Sequence, residues 1–279
     1  MSVWKEVKAI LPQAPLDWST WDEVFERHGI HGTVQTDEPP TLAGFLSPDD
    51  MAKLPDLDAE LRELGATDVE LRDVPEVDWA EAWKQFFVPR RIGERFVVVP
   101  SWEDYSPEPG NLVITLDPGQ AFGTGDHPTT RGCLELLEKV GCAGKEIADI
   151  GCGSGILTVG AALLGARSLV AVDVEAVCVR STLENLERNG GSAEVFQGLG
   201  FDPLPSYATF DLVVSNIISA ALIGLAPQAA GRVRSGGHWI VSGIIHENWP
   251  DVEAKARSCG FATGEVFREG DWVAAVFSR

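Results

Sequence analysis

The stretch IADIGCGSGILTVGAALLGA, residues Ile147–Ala166, decides the fold. It opens as an apolar strand, ends that strand in Asp149-Ile150, passes through Gly151, Gly153 and Gly155, and continues as an apolar helix. Glycines let a backbone turn sharply and approach a ligand closely, and the first turn of a helix presents unpaired N–H groups. In dinucleotide-binding proteins such a loop cradles a pyrophosphate. The spacing here is GxGxG, and Ile156 stands where GxGxxG requires its third glycine. Asp149 also precedes the loop directly, where it would repel a pyrophosphate and suit a cation. S-adenosyl-L-methionine carries a sulfonium and an ammonium group and no phosphate, so it fits better than NAD.

Working outward, strands and helices alternate from Glu146. EIADIG, SLVAVDV, AEVF, DLVVSNI and GHWIVSGI read as strands, separated by the helical runs GILTVGAALLGA, EAVCVRSTLENLERNG, SAALIGLAPQAAGRV and HENWPDVEAKARSCG. This alternation predicts a doubly wound parallel α/β sheet. GEVFREG and DWVAAVFSR follow with no helix between them, which predicts a C-terminal antiparallel hairpin and seven strands in all. Asp173 ends the second strand, 22 residues beyond Gly151, where a carboxylate can accept both ribose hydroxyls of an adenosine. Asn216 ends the fourth strand, and ligands of doubly wound sheets lie beyond such carboxyl ends. Asp173 as a helix-capping acid and Asn216 as a turn former are the plain structural alternatives. Glycine loop, ribose acid and strand-end Asn together predict a class I methyltransferase domain.

Upstream, residues 1–75 read as strand, helix, strand, strand, helix, strand, the order of a small ferredoxin-like α+β module. Trp18, Trp21, Val24 and Phe25 fall at helical spacing before Gly29, and SPDDMAKLPDLDAELRELG reads as one helix ending at Gly65. Residues 76–100 read as a connector, with a helix over 78–87 that puts Trp79 and Trp83 on one face, then the β run RFVVVP. The methyltransferase domain is expected over 101–279.

Composition narrows the function. The net charge is −20, which disfavours direct nucleic-acid binding through a basic face. Residues 1–75 hold 6 Lys/Arg against 16 Asp/Glu, or −10, so half the net charge sits in about a quarter of the chain. A basic protein partner would be drawn to it. The five cysteines form no CxxC pair, which predicts reduced thiols and no structural zinc. No apolar run reaches the roughly 18 residues of a membrane span, and the N-terminus lacks a signal-peptide pattern. A cytoplasmic enzyme without a membrane partner is expected.

One more glycine-rich stretch, DPGQAFGTGDHPTT at Asp117–Thr130, lies just before the first sheet strand. It resembles the signature of bacterial ribosomal protein L11 methyltransferases, DPG-x-AFGTG-x-HPTT, with Gln120 and Asp126 in the variable places. DWAEAWKQFFVPRRIG resembles that family's connector, and the likeness covers nearly the whole chain. The resemblance implies methylation of lysine side chains and an N-terminal α-amine on a basic ribosomal protein, L11. It implies that Phe122, Gly123, Thr124 and Gly125 roof the bound cofactor, and that Thr130, Gly151, Asp173 and Asn216 contact it. Asp149, Gly153 and Gly155 complete the expected cofactor set, and Asn216 is assigned to hold the reacting amine. His127 matches a fixed family position, either anchoring the loop or touching substrate. The chain departs from the family after Asn216, reading NIISAALIGLAP where relatives often carry NILAGPL, which bears on the substrate side. Competing readings are a methyltransferase for another substrate, an NAD-dependent dehydrogenase and a silent cofactor-binding module.

Overall fold

The computed structural model describes residues 3–15, 18–30, 32–37, 39–75, 88–117, 123, 125 and 127–279. The chain divides into two compact units, Met1–Phe87 and Val88–Arg279. The helix expected over 78–87, with Trp79 and Trp83, lies outside the described residues, as do Phe122 and Thr124.

In the first unit, β1 (Val3–Ile10), α1 (Ser19–Arg27), β2 (Thr33–Asp37), β3 (Pro40–Leu46), α2 (Leu54–Glu63) and β4 (Asp68–Pro75) follow in that order. The strands form an antiparallel sheet in the order β2-β3-β1-β4, the ferredoxin-like arrangement. Phe25 and Ile30, at and beyond the end of α1, are fully buried against the sheet together with Leu57 and Leu61 of α2. Ile30 and Phe25 come so close at Gly44 that a Cβ there would lie 2.4 Å from the Ile30 side chain. The single helix expected over 47–65 is two pieces, a 3-10 segment at Pro48–Lys53 and then α2. Pro55 explains the break: it lacks an N–H and is tolerated only in a helix's first turn, where α2 places it.

The second unit opens with a small sheet that the sequence only half discloses. β5 (Arg90–Ile92) pairs antiparallel with β6 (Phe96–Val99), and β6 pairs parallel with β7 (Leu112–Thr115). The RFVVVP run read as connector is therefore part of this unit. β7 has no counterpart in the sequence reading.

The main sheet is built from β8 (Glu146–Ile150), β9 (Ser168–Asp173), β10 (Glu194–Gln197), β11 (Phe210–Asn216), β12 (Val233–Ile245), β13 (Ala262–Glu269) and β14 (Trp272–Ser278). Its order is β10-β9-β8-β11-β12-β14-β13, with the first five strands parallel and β14 antiparallel to both neighbours. The helices are α3 (Pro128–Val140), α4 (Ile156–Leu163), α5 (Ala176–Arg188), α6 (Ser219–Arg232) and α7 (Trp249–Ser258). Alternate strand residues face opposite cores. Ile147, Leu212, Val214 and Ile240 pack on the side of α3, α4 and α5. Ala148, Val213, Trp239 and Val241 pack on the side of α6 and α7. Chain order runs from β8 to β9 on one side and from β11 to β12 on the other, so a crevice opens between the tips of β8 and β11.

At the opposite, N-terminal edge of the sheet, Arg234 donates to Asp211 Oδ1 at 2.7 Å and to Glu146. Asp211 Oδ2 accepts from the Glu146 N–H at 2.8 Å. These bonds tie β8, β11 and β12 together below the crevice.

Candidate active site at the strand tips

The glycine loop at 151–155 is fixed before any ligand arrives. Gly151 has φ +85°, and a Cβ there would lie 2.3 Å from the Ile217 side chain. Gly155 begins α4 with φ +79°, and a Cβ there would meet the Thr182 backbone at 2.9 Å. Both positions therefore exclude a side chain on grounds of conformation and of space. Two polar side chains of α5 hold the loop from behind. Thr182 donates to the Gly153 carbonyl at 3.1 Å, and Asn185 donates to the Ser154 carbonyl at 2.9 Å. From the front, the Ser154 hydroxyl donates to the Gly123 carbonyl at 2.5 Å. That bond ties the glycine loop to the AFGTG segment.

A cavity of about 560 Å³ opens over this loop. Six of the residues singled out from sequence line it: Gly123, Thr130, Gly151, Gly153, Asp173 and Asn216. Gly155 and Asp149 are not in its wall. Asp149 lies behind it, 1% exposed, with Oδ2 accepting from the Thr158 hydroxyl at 2.6 Å. Gly125 is buried with φ +94°, close to Val98 and Ile156.

Asp173 ends β9 with a carboxylate held by backbone. Oδ2 accepts from the Gly153 N–H at 2.9 Å and Oδ1 from the Glu175 N–H at 3.0 Å. Each oxygen keeps a lone pair for a further donor. Next to it, Val174 and Leu199 line the cavity although 50% and 69% exposed, which gives it apolar rims. Asn216 ends β11, and its Nδ2 donates to Thr130 Oγ1 at 3.4 Å. Its Oδ1 is buried with no hydrogen-bond partner among the described residues. Thr130, fully buried on α3, thus fixes which end of the amide faces away from α3.

His127 is the N-cap of α3. Its Nδ1 accepts from the Thr129 N–H at 3.4 Å and contacts the Thr129 hydroxyl at 2.7 Å. The ring stands edge-on to Trp272, 4.6 Å between centroids. Burial, with the Arg131 guanidinium adding to it, holds its pKa below the usual histidine value. The neutral ring can therefore serve as an acceptor, as it does toward the Thr129 N–H.

Thr182, Asn185, Val174 and Leu199 were not foreseen. The one available signal for the first two was polar residues at i, i+3 in the helix that follows the ribose acid. The cysteines are free. Cys152 and Cys178 line the cavity, and burial raises the pKa of both thiols.

The sheet order, the glycine loop and an acid and an Asn at successive strand tips define a methyltransferase of the doubly wound, class I type. A family model described as Ribosomal protein L11 methyltransferase (PrmA) matches residues 18–279. The ribosomal protein L11 methyltransferase of Pelotomaculum thermopropionicum is 44% identical over 256 residues, covering 89% of this chain and 82% of that protein. That of Geobacter metallireducens is 38% identical over 292 residues, covering 96% of each. The crystal structure of ribosomal protein L11 methylase from Lactobacillus delbrueckii subsp. bulgaricus has a TM-score of 0.65 at 31% identity, covering 69% of this chain and 99% of that one. The chain belongs to the ribosomal protein L11 methyltransferase family.

Proposed function

We propose that the cavity binds S-adenosyl-L-methionine and that the chain methylates lysine side chains and the N-terminal α-amine of ribosomal protein L11. The observation that carries this reading is Asn216 Oδ1, a buried acceptor without a partner among the described residues, at the β8–β11 crevice. An amine N–H satisfies it, and an unsatisfied acceptor at that depth is costly.

The residues present fit the cofactor. Both Asp173 oxygens retain capacity for ribose hydroxyls, Val174 and Leu199 supply apolar surface for an adenine, and the glycine loop leaves its backbone bare. Bound there, the cofactor supplies an electrophilic methyl group on a sulfonium. Asn216 orients the amine lone pair, with Thr130 holding the amide. Positioning of this kind contributes roughly 7–11 kcal/mol to a displacement. A lysine amine, with a reference pKa of about 10.4, must arrive neutral. The apolar rims favour that form by desolvation, and solvent takes the proton. Phe122 and Thr124 are assigned to the roof with Gly123 and Gly125.

Residues 1–75 are assigned to recognition of the basic substrate and the second unit, 88–279, to catalysis. A substrate carried on a ribosomal protein places the enzyme in the cytoplasm. Among the described residues, no helix is long and apolar enough to cross a membrane.

The test incubates the enzyme with purified L11 and the cofactor and reads L11 by mass spectrometry. Mass increments of one methyl each on amines are expected. Asp173→Ala is expected to weaken adenosylhomocysteine binding at least tenfold. Unmodified L11 together with unaltered binding in that variant would sink the assignment.

A further inference from the structure

Asp149 is a buried acid that the methyl-transfer chemistry leaves unused. It is 1% exposed. Its Oδ2 has the Thr158 hydroxyl at 2.6 Å, and its Oδ1 has no hydrogen-bond partner among the described residues. The neutral donors of a single residue do not offset the desolvation of a carboxylate. Burial raises its pKa to about 7, with the Thr158 hydroxyl and, less, the Thr158 backbone N–H acting against the rise and the Asp173 carboxylate adding to it.

The titratable groups around Asp149 come from three elements. α3 contributes the Cys133 thiol, the glycine loop the Cys152 thiol and β9 the Asp173 carboxylate. α4 contributes the neutral Thr158 hydroxyl. Burial keeps both thiols protonated. Among the described residues, none of the groups that shift Asp149 is a cation. Among the described residues the site thus has an acid, an oxygen without a hydrogen-bond partner and no counter-charge. The cavity begins beside it, since Ile150 and Gly151, the next two residues, and Leu157, next to Thr158, are in its wall.

We propose that Asp149 is the counter-charge to the sulfonium cofactor, carrying a proton while the cavity is empty and releasing it to solvent when the cationic cofactor binds. This rests on the cofactor assignment above. The bond that breaks is the carboxyl O–H, and the proton goes to buffer. Asp149 acts through the cavity wall, so it is a positioning residue. It regains its proton once the sulfonium charge has gone, so the same carboxyl favours the charged methyl donor over its neutral thioether product.

The experiment is calorimetric titration of the full chain with S-adenosyl-L-methionine at pH 7, in phosphate and in Tris, whose ionisation enthalpies differ. The cofactor's own α-amine titrates not far above this pH, near 8, so the reading is the difference between wild type and Asp149→Asn. That difference is expected to be about half a proton released, since a group with a pKa of about 7 is half protonated at pH 7. Below pH 7 the wild-type affinity is expected to fall by up to about tenfold per unit, more steeply than in the variant. The preference for the cofactor over adenosylhomocysteine is expected to shrink several-fold in Asp149→Asn. Thr158→Val keeps the acid and removes its hydroxyl donor, and it is expected to move the bend in the affinity profile to higher pH. Should Asp149→Asn not fold, that shift decides the matter. Equal proton release in wild type and Asp149→Asn, or an unmoved bend in Thr158→Val, overturns the proposal. Failure of the wild type to bind the cofactor in any buffer overturns the cavity assignment instead, and this inference with it.

Discussion

A carboxyl whose hydrogen bonds come from Thr158 alone, in a dry core, opposes the fold that contains it. Asp149 has a folded pKa of about 7, above the ordinary value of 3.8. The folded state therefore binds its proton more tightly than the unfolded state does. The resulting penalty is absent below the unfolded pKa, grows as pH rises, and is complete above about 7. Cofactor-free Asp149→Asn is expected to be more stable than wild type at pH 8, by on the order of 1–3 kcal/mol, with the gain vanishing toward pH 4. Thermal unfolding at both pH values checks this, and a gain independent of pH would refute it. Gly243 makes a different point about single positions. It marks the irregularity where β12 shifts register against β14, and its φ is +83°. A Cβ there would lie 2.4 Å from the Ile217 carbonyl oxygen, directly after Asn216. Gly243→Ala is expected to displace the Asn216 tip and lower kcat by tenfold or more, with a smaller change in cofactor affinity. Turnover and binding measured side by side separate the two.

Elements show how a cap and a clamp carry the site. His127 caps α3, the helix that also carries Thr130. Its pKa is depressed, so its contribution is complete above the ordinary histidine pKa of about 6.5 and is lost as pH falls through the folded value. A protonated ring at a helix N-terminus also opposes the dipole. Amide exchange in the first turn of α3 is expected to accelerate between pH 6.5 and 5 in wild type, beyond its intrinsic change, and not in His127→Asn, which caps without titrating. Glu138, near the other end of α3, accepts backbone N–H bonds from Glu94, Arg95 and Phe96 at 2.8–3.2 Å. That clamp seats the β5–β6 turn, yet in sequence Glu138 is one acid among many on a helix face. The same reason hid Thr182 and Asn185, because a polar helical residue reads as solvated until its packing partner is known. β7 was hidden because its four residues pair in parallel with β6, and neither length nor alternation marks so short a strand. The β8–α4 unit was legible because glycines at 151, 153 and 155 have few uses other than the one found. The break before α2 could have been read from Pro55.

At the scale of the molecule, the strand–helix order of each unit was readable, and both sheets have the order it implies. What pattern alone did not supply was the small β5-β6-β7 sheet, whose strands are only three to four residues long. Charge was legible throughout. With −10 in residues 1–75, docking of a basic protein is expected to weaken with ionic strength. The KM for L11 is expected to rise several-fold between 50 and 300 mM salt while cofactor affinity stays nearly constant, and a salt-independent KM would argue against an acidic docking surface. The main sheet also imposes an order of assembly. β14 is translated after β13 but lies between it and β12, so β13 has no place on the growing nascent chain until the following segment emerges. The tips of β8, β9 and β11 all precede that point. On this topology the methyl-donor crevice takes shape during synthesis, and the far edge of the sheet closes last. Nascent chains stalled before Trp272 are expected to be protease-sensitive around 262–269 while the region of 146–216 is already protected.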